Sequence, residues 1–90
     1  MGVEVRIPTI LRSYTKNEKT VTVAGESIAG VIADLDANFP GIGDRILDDK
    51  GLRRFVNVYL NDEDVRFLAG LETNVADGDV VSILPAVAGG

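Results

Sequence analysis

Ninety residues with a formal net charge of −5 make one domain, and a chain this short buries only about 60–70% of its unfolded surface. Fourteen Asp and Glu against nine Lys and Arg argue against the basic footprint of a nucleic-acid binder and suit a partner with a basic docking surface. The absence of cysteine and histidine removes disulfides, thiol nucleophiles, thiolate metal sites and the usual general base. Met1 to Leu11 carries Glu4 and Arg6, so it lacks the apolar core of a signal peptide, and no apolar run approaches the roughly 20 residues of a membrane span. A cytoplasmic location is therefore expected.

Val3, Val5 and Ile7 alternate with Glu4 and Arg6, the pattern of a half-buried strand. Pro8 ends that pattern, Ile10-Leu11 is expected to continue the strand past a bend, and Ser13 to Glu18 reads as a polar loop. Lys19 to Ala24 alternates again with Val21 and Val23 inward, which makes a hairpin with the first strand. Gly25-Glu26 breaks it. Ser27 is a good helix N-cap, because its hydroxyl can accept from an amide one turn in. Ile28, Val31, Ile32, Leu35 and Phe39 then form one apolar helical face, and Pro40 stops the helix near Phe39. Gly30 inside that helix costs roughly 0.5–1 kcal/mol against alanine, so close packing is the expected reason for it. Gly25 and Gly30 have the glycine spacing of a phosphate loop. Val31 and Ile32 stand where Lys and Ser/Thr are required, so that motif is absent.

Pro40 to Leu52 is acidic and glycine-containing, with Ile46-Leu47 expected to pack as a single turn under the sheet. Arg53 to Leu60 is the strongest strand signal. Val56, Val58 and Leu60 share one face, and Phe55, Asn57 and Tyr59 the other, as in a central strand or one whose outer face meets a partner. Asn61-Asp62 should turn the chain into a short edge strand around Val65. Phe67, Leu68 and Leu71 follow in an irregular stretch, with core packing expected for at least one. Asp77-Gly78 signals a tight turn, and Val80 to Leu84 is the final strand with Val81 and Ile83 inward. Pro85 lacks a backbone donor and should end the ladder. Asp48-Asp49 and Asp62-Glu63-Asp64 lack the glycine and terminal glutamate of a calcium loop and read as solvated. The order strand, strand, helix, strand, short strand, strand describes an α+β domain with one helix on one sheet face. No paired catalytic constellation is visible.

The chain ends Leu84-Pro85-Ala86-Val87-Ala88-Gly89-Gly90. Without Cβ atoms, Gly89 and Gly90 can enter a tunnel too narrow for other residues and present a bare carboxylate. Residues 1–85 are read as the domain and 86–90 as a flexible tail.

The element order and the run Ala76-Asp77-Gly78-Asp79-Val80-Val81 leading to Pro85 and Gly89-Gly90 resemble the ThiS/MoaD family of ubiquitin-like sulfur carriers. Ile7-Pro8-Thr9-Ile10-Leu11, Phe55-Val56-Asn57-Val58 and Asn61-Asp62-Glu63-Asp64-Val65-Arg66 look similar to the members that serve an actinobacterial cysteine pathway. The resemblance implies a β-grasp fold, a mixed sheet of four to five strands with one main helix packed on one face. It implies a carrier, not an enzyme, with no bound cofactor and no metal. A ubiquitin-activating-type adenylyltransferase would use ATP to adenylate the Gly90 carboxylate, and a sulfur donor would then leave a thiocarboxylate. The sulfur would go to a PLP-dependent cysteine synthase, with release by a JAMM-type zinc metalloprotease. Gly89, Ala88, Val87 and Ala86 would serve as the passage segment. Leu84, Tyr59, Phe55, Phe67 and Arg66 are candidates for the docking face, and Arg53, Arg54 and Arg66 could pair with acidic groups on an activating enzyme. The alternatives are a modifier joined to lysines of target proteins, or a molybdopterin synthase small subunit.

Overall fold

A computed structural model of the chain describes residues 2–54 and 56–85. The expectations for Phe55 and for Ala86, Val87, Ala88, Gly89 and Gly90 lie outside those residues.

β1 (Val3–Arg6) and β2 (Thr20–Val23) pair antiparallel, with Val3 opposite Val23 and Arg6 opposite Thr20. On its other side β1 runs parallel to β7 (Val80–Pro85), so the first and last strands are neighbours. β7 pairs antiparallel with β5 (Val56–Leu60), and β6 (Glu63–Asp64) forms the edge beyond it. The sheet order is β2-β1-β7-β5-β6, a mixed five-stranded sheet. Pro85 lies within β7 opposite Val56, so the ladder runs one residue further than the missing N–H suggests.

α1 (Ile28–Asn38) lies on one face of this sheet. Ser27 Oγ accepts from the Gly30 amide at 3.1 Å, so the N-cap forms at the residue its chemistry favours. Ile28, Val31, Ile32 and Leu35 meet the inward row Val3, Val5, Val58, Val81 and Ile83, and all nine are buried. The helix stops at Asn38, two residues before Pro40. Close packing does not explain Gly30. A Cβ there would meet nothing nearer than Ser27 Oγ at 3.5 Å, whereas a Cβ on Gly25 would stand 2.6 Å from the Val31 backbone nitrogen. The tight crossing between β2 and α1 is therefore at Gly25.

Thr9–Thr15 departs from expectation. It is a 3-10 helix rather than a strand continuation and a loop. Leu11 is buried and Tyr14 packs against the core three residues later, which is the 3-10 period. Thr15 is fully buried, and its hydroxyl bridges Arg12 O and Glu18 O. Beyond α1, Asp36 Oδ1 accepts from Gly41 N and Gly43 N, tying down α2 (Gly43–Ile46). Ile46 is fully buried, as expected, but Leu47 leaves the turn and pairs with Leu52 in a small second sheet, β3 (Leu47–Asp48) with β4 (Gly51–Leu52). The expected edge strand around Val65 is Glu63–Asp64, and Val65 opens a 3-10 turn. Leu71 packs against the core, whereas Phe67 and Leu68 are exposed.

Candidate functional site

The C-terminal strand leads to the tail, so the candidate site is the end of β7 and the sheet face around it. Alternation in β7 sends Val81 and Ile83 toward α1 and leaves Val80, Ser82 and Leu84 on the outer face. Leu84 is 48% exposed, an unusual position for a leucine on a central strand. Its register partner is Asn57, and Tyr59 stands opposite Ser82, diagonal to Leu84 on the same face. Tyr59 is half-buried.

Arg66 joins this group through Asn57. Its Nη1 donates to Asn57 Oδ1 at 2.7 Å, and its Nη2 donates to Arg53 O at 2.8 Å and Val56 O at 2.7 Å. One guanidinium thus holds three acceptors at the start of β5, beside the strand pair Val56 and Pro85 from which the tail continues. These three bonds are all within the chain, a structural role that the expectation of a docking or partner-pairing residue does not include. Asp64 Oδ1 accepts from the Arg66 amide and fixes the turn that presents it. Phe67 follows and is 86% exposed. The structure therefore gathers Leu84, Tyr59 and Arg66 on one face and places Phe67 at its margin.

Two features escaped the sequence reading. Ile10 is 68% exposed at the start of the 3-10 helix and lines the same groove as Leu84. Of the pair Ile10-Leu11, only Leu11 has the spacing to Tyr14 that selects a buried face. The second feature is charge. The net value of −5 does not describe the two grooves near this face, where basic side chains outnumber acidic ones. At the other end of β7, Asp79 accepts from Ala76 N at 2.9 Å and from the Asn61 amide at 3.0 Å, and these bonds hold its carboxyl below the usual carboxylate range. Among the described residues there is no cluster of acidic side chains suited to a metal, and no helix is long and apolar enough to cross a membrane.

A five-stranded mixed sheet carrying one main helix, with its last strand in the interior beside its first, is the ubiquitin-like β-grasp. Within that class the chain belongs to the ThiS family, whose model matches residues 5–90, and it is a carrier, not an enzyme. It is 56% identical over 93 aligned positions to the sulfur carrier protein CysO of Mycobacterium tuberculosis, covering 100% of both chains. In three dimensions it is similar to the CysO of Amycolatopsis orientalis in a BexX/CysO complex, with a TM-score of 0.93, 52% identity, and coverage of 98% of this chain and 99% of the other. It is also 38% identical over 64 residues to small archaeal modifier protein 3 of Haloferax volcanii, covering 71% of this chain and 70% of that one.

Proposed function

We propose that this sulfur carrier works through the carboxylate of Gly90 and delivers sulfide to a PLP-dependent cysteine synthase. The observation that carries the reading is full-length similarity to a CysO carrier in a chain that carries the Gly89-Gly90 pair. In the first step a carboxylate oxygen of Gly90 attacks the α-phosphorus of ATP on a ubiquitin-activating-type adenylyltransferase, and pyrophosphate leaves. A sulfur nucleophile then adds to the acyl carbon and expels AMP, leaving a thiocarboxylate. The carrier needs no catalytic side chain of its own and binds no cofactor. It contributes a reactive terminus, a reach and a docking face, acting in the cytoplasm with a JAMM-type metalloprotease downstream. Six residues from Pro85 to Gly90, fully extended, span roughly 20 Å, which suffices to enter a buried site. The outer face around Leu84 and Tyr59 would seat against the partner, with the exposed Phe67 as a further contact.

The test is mass spectrometry of the terminal peptide after incubation with an activating enzyme, ATP and a sulfur source. One oxygen-to-sulfur exchange at Gly90 is expected. Appending a residue after Gly90 should abolish it, because the carboxylate then lies past the reaction centre, where a misplacement of about 1 Å already costs roughly a hundredfold. An unchanged peptide, with an enzyme competent on another carrier, refutes the reading.

A second reading, conjugation to target lysines, is favoured by the similarity to an archaeal protein that is named a modifier. It uses the same activated terminus, and isopeptide-linked Gly-Gly remnants on other proteins would establish it.

A further inference from the structure

The basic side chains are not spread over the molecule. Arg45, Lys50, Arg53, Arg54 and Arg66 line an open groove of about 1460 Å³, which reaches β7 through Val56, the partner of Pro85. Arg6, Arg12 and Lys19 line a second groove of about 450 Å³ that includes Ile83 and Leu84 of β7. The two grooves meet at Ile10. Eight of the nine basic residues thus line one or other of these two adjoining grooves, and Lys16 is the exception. Of the fourteen acidic residues, Asp44, Asp48 and Asp49 line the grooves and Glu4 pairs with Arg6 at 3.2 Å, which leaves ten elsewhere. Asp79 accepts from Asn61 at the start of β7, with Asp62 and Glu63 in the adjoining turn, roughly 17 Å from Pro85 along the strand.

We infer that this basic collar docks on a folded protein whose tail-accepting opening is rimmed with carboxylates, and that it orients the carrier tail-first during the encounter. The inference rests on the carrier reading and adds the chemistry of the partner's rim. A molecule of net charge −5 gains nothing from monopole attraction to an acidic surface. Its charge separation still turns the collar toward that surface, and steering of this kind raises association rates by 10-fold to 10³-fold. The collar contains both fixed and available cations. Arg12, Arg45, Arg53 and Arg66 are held by bonds to Ile7 O, the Tyr14 hydroxyl, Asp44 O and the start of β5. Lys19, Lys50 and Arg54 have no side-chain hydrogen bond or ion pair among the described residues. A protein fits better than a nucleic acid. Asp44, Asp48 and Asp49 interleave with the cations and would repel a phosphate backbone, and the exposed apolar Ile10 lines both grooves while Leu84 lines the second.

Two measurements on the full chain test the inference, using variants that change net charge equally: Arg54→Glu and Lys50→Glu inside the collar, and Lys16→Glu outside it. The first is retention on a sulfonate cation exchanger at pH 7 and low salt. Wild type and Lys16→Glu should be retained despite their negative net charge, and the collar variants should not. The second is the stopped-flow association rate with an activating adenylyltransferase. Each collar variant should slow it on the order of fivefold at low salt, with the gap closing near 1 M salt, where the Debye length is about 3 Å. Lys16→Glu should stay close to wild type. Flow-through of the wild type, equal slowing by all three variants, faster association of the collar variants, or preferential binding of a single-stranded RNA would each overturn the inference. The terminal mass exchange at saturating enzyme reads the carrier function separately. If it fails while the collar variants lose retention, the carrier reading falls and the collar stands.

Discussion

Two glycines five residues apart play opposite parts. Gly25 is required by space, since a methyl there would press on the Val31 amide nitrogen at 2.6 Å, and backbone cannot turn aside as a side chain can. Gly25→Ala should cost about 1–3 kcal/mol through overpacking. Gly30 has open room, so Gly30→Ala should stabilise by roughly 0.5–1 kcal/mol through helix propensity. Urea midpoints at unchanged m-value read both. Asp79 supplies a second residue-scale test. Its folded pKa is depressed below 3.8 by the Ala76 amide first and the Asn61 amide second. A depressed carboxylate contributes stability above its unfolded pKa and loses it as pH falls through the folded one. Wild type should therefore exceed Asp79→Asn by a constant margin from pH 7 to about 5, and the margin should shrink below about pH 4.

At the scale of elements, Arg66 ties the turn after β6 to the start of β5. Lysine has a single ammonium and cannot span Asn57 Oδ1, Arg53 O and Val56 O together. Arg66→Lys should lower stability by about 1 kcal/mol and speed amide exchange near Val56, read by denaturation and hydrogen exchange. The elements that the sequence made legible are those with strong periodicity. Val3, Val5 and Ile7 announce β1, and Ile28, Val31, Ile32 and Leu35 announce α1, because burying one face forces a period on the residues. Thr9–Thr15 is hard to read from sequence because it carries only two anchors, Leu11 and Tyr14, and because its buried threonine looks polar until its hydroxyl finds two carbonyls. The β3–β4 ladder contains two residues per strand, too few to show alternation. At the site, the alternation of β7 made Leu84 legible as outward. Arg53, Arg54 and Arg66 are legible as cations that could meet acidic groups, but the Arg66 clamp and the company of Arg6, Arg12, Lys19, Arg45 and Lys50 are not, because both depend on segments distant in sequence coming together.

For the whole molecule, stability resides in the layer between sheet and helix. Val81→Ala or Leu35→Ala should cost roughly 1–4 kcal/mol as cavity mutants, since both side chains are fully buried. If residues 86–90 serve as an arm outside the domain, their deletion should shift the midpoint far less than either substitution. A shift of equal size would show that the tail is packed.

The position of β7 also has a mechanical consequence. An enzyme that draws the tail into its own interior pulls on the end of this strand. β7 is flanked on both sides, with three register pairs to β1 and five to β5. Tension along its axis loads both ladders in shear, so many hydrogen bonds must yield together. Under the same axial pull, an outer strand such as β2 or β6 has one ladder to share the load rather than two. A terminus handled as proposed here would thus be anchored where the fold best resists traction, so that it could be engaged and released repeatedly without unravelling the domain behind it.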